Sequence, residues 1–312
     1  MQKITIEKTD LRVSNVCLGG CPLGGYGWGN TQREELINAV KTAYDCGINF
    51  FDTADTYGLG ESERVLAEAL GSHKNDAIIT TKFGVRIENG KTFYDNSREY
   101  VFTAVENSLK RLGKGCIDLY QVHYRDGVTP ITDLVESLER LREQGKIRYY
   151  GLSNIHEKDR EELASLKENP FVSFQDEYSL ACRKNEEDMM RFRDDFKMTP
   201  LTWGSLGQGI LSGKYDKNCK FDSNDRRSRD IYVNFHGEKL LKNLEIVEEM
   251  KKISSNIGKP VASIAIRWIL DYLKGSVVIV GAKTPAQVMQ NVEAIGWNLT
   301  EDQIELLDKV SR

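Results

Sequence analysis

Short apolar runs and amphipathic stretches alternate along most of this 312-residue chain. Residues 3–20 read as a small hairpin (Ile4 and Ile6, a turn near Thr9-Asp10, then Val13 and Val16) running into Cys17-Leu-Gly-Gly20. A loop rich in glycine and aromatics follows, residues 21–30. Thr31 with Glu34 three residues on has the capping-box pattern, and Leu36, Ile37, Val40 and Ala43 keep helical spacing until Gly47. From there the pattern predicts strand 48–52, helix 61–70, strand 77–82, helix 98–112, strand 117–123, helix 131–144, strand 147–152 and helix 157–167. Strand 171–175, helix 185–196 and strand 199–203 come next. A long loop, 204–236, precedes helices 238–257 and 260–273, strand 276–280, helix 285–293 and a last helix near 300–310.

Apolar runs of strand length alternating with helical patterns imply parallel strands covered by helices. Counting the strand that ends near Gly19, there are eight strand–helix units with no composition break, so the expected fold is α/β, a single (β/α)8 barrel domain over residues 1–312. The N-terminal hairpin is expected to plug its bottom. An open dinucleotide-binding sheet would carry Gly-x-Gly-x-x-Gly after an early strand, and the chain has no such sextet.

Chemistry in a barrel sits at the C-terminal strand ends. Those positions are Asp52, Lys82, His123, Ser153-Asn154, Gln175, Trp203 and Gly281-Ala-Lys283, with Tyr57 on the loop after the Asp52 strand. A carboxylate at the end of a buried strand is costly unless paired, and Lys82 is its natural partner. A tyrosine's ordinary pKa, about 10, is high for proton transfer near neutrality. A cation about 4 Å away is worth about 4 kcal/mol at an effective dielectric of ~20, enough to lower it, with Asp52 offsetting part. A neutral His123 can orient a carbonyl oxygen. The set reads as a phenol poised to protonate an oxygen gaining negative charge, as hydride transfer to a carbonyl requires.

Composition narrows the alternatives. A net charge of −4 argues against a nucleic-acid surface. No apolar run approaches the roughly 18 residues that span a bilayer, the first residues lack a signal peptide's apolar core, and six scattered cysteines form no metal motif. The expectation is a cytoplasmic protein without metal.

Phe51-Asp-Thr-Ala-Asp-Thr-Tyr-Gly58, Thr81-Lys-Phe-Gly84, Asp118-Leu-Tyr-Gln-Val-His123 and Gly145-Lys-Ile-Arg-Tyr-Tyr-Gly-Leu-Ser-Asn154 resemble the aldo-keto reductase family, in order and over nearly the whole chain. The resemblance implies a catalytic tetrad of Asp52, Tyr57, Lys82 and His123, with Tyr57 the general acid, and a nicotinamide cofactor, usually NADPH. It implies that Ser153, Asn154 and Gln175 hold the nicotinamide carboxamide and that Trp203 stacks on the ring. The loop from Gly204 to Lys214, including Ser205, Leu206 and Gln208, would strap the pyrophosphate. Gly281, Lys283, Thr284, Gln287, Gln290 and Asn291 would surround the adenosine end. Relatives often have arginine at positions 283 and 287, so Lys283 and neutral Gln287 leave NADH use open beside NADPH.

Tyr26, Trp28, Tyr94 and Tyr124 lie on strand-end loops and are candidate substrate-pocket walls; Arg226-Arg-Ser-Arg229 reads as a solvated basic face, with help in holding a phosphate as the alternative. The expected partner is a small carbonyl or alcohol substrate, and monomer is the family's commonest state. Two rival readings remain: a cofactor-holding regulatory subunit of the channel-partner kind, and a Schiff-base lyase using Lys82.

Overall fold

The computed structural model describes residues 1–312. β1 (Lys3–Thr5) and β2 (Arg12–Ser14) form the antiparallel hairpin, and β3 (Val16–Gly19) opens the barrel. The chain then runs α1 (Arg33–Asp45), β4 (Phe50–Asp52), α2 (Glu61–Leu70), β5 (Ile78–Phe83), β6 (Val85–Glu88), β7 (Lys91–Tyr94), α3 (Arg98–Leu112), β8 (Ile117–Val122) and α4 (Ile131–Glu143). It continues through β9 (Ile147–Ser153), α5 (Glu157–Ser165), β10 (Ser173–Glu177), α6 (Glu186–Phe196) and β11 (Thr199–Trp203). α7 (Gly237–Ile257), α8 (Val261–Tyr272), β12 (Val277–Gly281), α9 (Pro285–Val292) and α10 (Glu301–Ser311) complete it.

β3, β4, β5, β8, β9, β10, β11 and β12 close into one parallel barrel, each hydrogen-bonded to its neighbours in sequence order, with β12 returning to β3. This is the expected (β/α)8 barrel. Ile6, Leu11 and Val13 of the hairpin pack with Phe50, Leu119, Val172, Leu201 and Val277, so the hairpin does plug the bottom. The larger apolar core lies between the strands and the helix ring. No helix is long and apolar enough to cross a membrane, and all six cysteines are free.

Two local expectations fail. Thr31 does not cap α1: the N-cap is Gln32, with no side-chain cap bond, and Glu34 and Glu35 sit in the first turn, where acidic side chains favour the dipole. Residues 85–94, expected as plain loop, form the β6–β7 hairpin. Its signal was present in Asn89-Gly90, both with positive φ (51° and 73°), the pair a type I′ turn demands. The 204–236 loop carries short 3-10 turns at 207–212, 226–228 and 233–235.

Candidate active site

Register places the charged pair. Asp52 lies opposite Thr80 across the β4–β5 ladder, and Lys82 is two residues further along β5, so both side chains point into the barrel mouth. Lys82 Nζ donates to Asp52 Oδ1 and Oδ2 at 2.7 Å each and to the Thr53 carbonyl at 3.0 Å. Tyr57 Oη lies 3.5 Å from the same nitrogen. Asp52 and Lys82 are 2 % and 1 % exposed, a burial affordable only because each charge meets the other.

The loop carrying Tyr57 is held from behind. Thr53 Oγ1 and Ser62 Oγ are 2.7 Å apart, and Ser62 Oγ donates to the Gly20 carbonyl at 2.7 Å. Gly58 (φ 60°) presses its backbone on Gly24, and a Cβ at 58 would stand 2.3 Å from the Gly24 oxygen. Only glycine permits that approach.

His123 follows β8 and lies edge-on to Tyr57, ring centroids 5.7 Å apart. Burial and then the Lys82 charge hold its pKa well below the ordinary value, so the imidazole is neutral. Its Nδ1 is buried without a partner, which leaves Nε2 as the nitrogen open to the cavity. The Tyr57 phenol goes the opposite way from expectation. Burial first, and then the Asp52 carboxylate, hold its pKa well above the ordinary value. The physical reason is that a fully buried phenol loses the solvation its phenolate would need, while Lys82 spends its protons on Asp52 and Thr53.

These groups open on a cavity of about 460 Å³. Of the expected cofactor residues, Ser153, Asn154, Gln175, Trp203, Gly204, Ser205, Leu206, Gln208, Gly281, Lys283, Gln287, Gln290 and Asn291 line it. Thr284 does not; it caps α9, accepting from the Gln287 amide. Asn154, with φ 54°, donates to the His123 carbonyl (2.9 Å) and Ser153 Oγ (3.1 Å), which leaves its Oδ1 as an acceptor for a ligand. Trp203 Nε1 is buried with no partner.

Trp28 and Tyr124 line the cavity, but Tyr26 and Tyr94 do not. Tyr26 is 58 % exposed under the Arg226 guanidinium; Tyr94, 47 % exposed, stacks on Tyr124, which stacks on His123. The basic stretch 226–229 is not simply a solvated face. Arg227 is buried, paired with Asp225 at 2.5 Å and laid over Phe221, while Arg226 lines the cavity without a carboxylate partner. Asp225, two residues away, and an aromatic cage from distant positions made that burial possible. Lys214, at the end of the expected pyrophosphate loop, is on the cavity wall, and so are Cys21 and Tyr232, which sequence reasoning did not single out.

The donors fit a nicotinamide dinucleotide. One end offers amide and hydroxyl groups beside an aromatic ring. The other gathers Lys214, Arg226, Arg227 and Lys283, four cations suited to phosphates. Between them Gly209 (φ 106°) turns the loop through a conformation closed to other residues.

Asp55, on the same loop, faces a separate cavity of about 260 Å³ behind it, with Oδ2 accepting from Tyr100 and Oδ1 buried without a partner. Burial, then Glu63, raises its pKa to about 7. A carboxyl raised in the fold adds stability that is complete below its unfolded value, near 3.8, and is lost as pH rises through about 7. Asp55→Asn therefore gains stability relative to the parent between those pH values, read by urea unfolding at pH 4.5 and 7.5. Parallel curves would refute it.

Comparison with known proteins agrees with this geometry. The model of the Aldo/keto reductase family matches residues 15–312. The chain is 34 % identical over 310 residues to aldo-keto reductase YhdN of Bacillus subtilis (strain 168), covering 98 % of this chain and 92 % of that protein. It is 27 % identical over 327 residues to the NADH-specific methylglyoxal reductase of Escherichia coli (strain K12), covering 100 % and 98 %. Among solved structures, the glycerol dehydrogenase AKR11B4 from Gluconobacter oxydans superposes with a TM-score of 0.89 at 32 % identity, over 99 % of this chain and 94 % of that one. A barrel whose strand ends and following loop bring an aspartate, lysine, tyrosine and histidine together beside a groove ringed by amides and cations, with a family match across nearly its whole length, belongs to the aldo/keto reductase family.

Proposed function

We propose that Tyr57 delivers the proton when this enzyme reduces an aldehyde or ketone to its alcohol, and takes it back in the reverse direction. The observation that carries the assignment is the buried line from Asp52 through Lys82 to Tyr57, ending beside neutral His123 on the cavity. The bound nicotinamide supplies or accepts the hydride. Tyr57 holds its proton firmly in the resting site. As it gives the proton up, the ammonium 3.5 Å from Oη stabilises the phenolate left behind, a charge preorganised before the reaction begins. His123 Nε2, open to the cavity, orients the carbonyl oxygen without adding net charge. Lys82 is not a Schiff-base nucleophile on this reading, because an ammonium donating to three oxygens has no lone pair to attack a carbonyl. NADPH oxidation over a panel of small aldehydes tests the proposal. Tight cofactor binding with no oxidation above background would point instead to a regulatory subunit.

NADPH is the preferred cofactor, with NADH open. Lys283 Nζ donates to the Trp28 carbonyl at 2.7 Å, and burial, then Arg227 and Lys214, lower its pKa. A 2′-phosphate would relieve that repulsion. Gln287 brings no charge; its Oε1 accepts from the Lys283 amide at 2.8 Å. Lys283→Met is expected to weaken NADPH about tenfold or more, as loss of a charged hydrogen bond does, and to leave NADH unchanged. Fluorescence titration with both cofactors checks this, and equal weakening of the two would remove Lys283 from the 2′-phosphate site.

A further inference from the structure

β4 and β10 are the second and sixth strands of an eight-strand ring, on opposite sides of the barrel. Their side chains nevertheless meet: Gln175 Nε2 donates to Asp52 Oδ2 at 2.8 Å. Gln175 is 2 % exposed, and its orientation is settled by chemistry, since only the nitrogen end of an amide can face a carboxylate. Its Oε1 takes no bond from any protein donor and Gln175 lines the cavity, so one amide turns its nitrogen to Asp52 and its oxygen to the ligand. Asp52 thus receives three hydrogen bonds, two from Lys82 and one from across the barrel.

We propose that Gln175 is a positioning residue for the proton-transfer machinery as well as a wall of the cofactor groove: its amide bridges the barrel mouth, fixes the Asp52 carboxylate, and disperses part of the charge that Asp52 imposes on Tyr57. The inference rests on the Tyr57 reading above. Coulomb attraction alone would let Asp52 swing with Lys82. A neutral donor from the opposite wall holds the carboxylate in one plane without competing for the ammonium, and hydrogen bonds to an ionised acceptor are the strong ones. Without that donor, more of the Asp52 charge falls on the phenol. Phenolate formation then becomes harder, so the pH at which alcohol oxidation reaches half its maximum rises.

Two variants test the bridge. Gln175→Met keeps the length and removes the donor; its alcohol-oxidation limb is expected to move to higher pH, with kcat lowered about tenfold or more, the scale of one hydrogen bond to a charged group. A residue that served only the cofactor would raise cofactor Kd and leave the limb in place, which would overturn the proposal. Gln175→Glu reads the contact without turnover. Protonated, the new carboxyl donates to Asp52 as the amide does; ionised, it sets two carboxylates edge to edge, so its pKa in the fold rises above its unfolded value of about 4.3. Stability from the protonated form is complete below that value and is lost as pH rises through the folded one. Thermal unfolding without added cofactor is therefore expected to match the parent near pH 4 and to fall progressively below it as pH rises from there. A pH-independent difference from the parent would overturn the bridge. Because the unfolding arm involves no chemistry, failure of the Tyr57 assignment and failure of the bridge are distinguishable. A bridge confirmed by unfolding, with the oxidation limb unmoved, would reduce Gln175 to a structural strut and overturn the positioning role.

Discussion

Tyr57→Phe is expected to lower aldehyde reduction by about 10²–10⁴-fold, the range a positioned proton donor contributes. Cofactor affinity should stay at the parent's value, because the phenol lies beside Lys82 and His123 rather than at the cation end of the groove. The substitution removes one oxygen and leaves the ring that packs edge-on to His123, so folding is preserved. Turnover measured with saturating NADPH, beside a fluorescence titration of cofactor, separates the two effects. Near-parental turnover would dismiss Tyr57 as the acid, and a large rise in cofactor Kd would show that the loss was one of binding.

Lys82→Met strikes stability as well as chemistry. It leaves the Asp52 carboxylate buried with only the Gln175 amide as donor, and breaking a buried pair this way costs about 3–5 kcal/mol. Equilibrium urea unfolding reads the loss, and a change under about 1 kcal/mol would mean that the pair is far more hydrated than its burial suggests. Adding Asp52→Leu to Lys82→Met should recover much of the stability, since replacing both charges by apolar groups removes the orphan. It should recover no activity, because the charge that stabilises the phenolate is gone.

The pairing of Asp52 with Lys82 was legible in the chain because both lie at the ends of consecutive strands, and parallel register with period-two side chains brings such positions together. His123, Asn154 and Trp203 stand at or just past strand ends and were legible for the same reason, while Tyr57 sits on the loop that follows β4. The direction of the Tyr57 shift was not. Its sign depends on how completely the fold buries the phenol and on the Asp52 charge beside it, neither of which residue type reveals. Tyr26 and Tyr94 looked like pocket walls by their place on strand-end loops, yet an exposed aromatic on a rim loop can point either way. The β6–β7 hairpin carried a clear Asn89-Gly90 signal that its place between a strand and a helix obscured.

By itself the sequence determined the alternation of strands and helices, hence the barrel, and the residues that stand at its strand ends. Those follow from local periodicity and chain order, which every segment carries within itself. Only the tertiary structure decided which way protons and charges balance, that Gln175 reaches Asp52 from the opposite wall, and that of two groove-lining arginines Arg227 is buried against Asp225 while Arg226 has no carboxylate partner. Each of these depends on distances and burial between groups far apart in the chain, and electrostatics in a low-dielectric interior turns on those distances rather than on residue type.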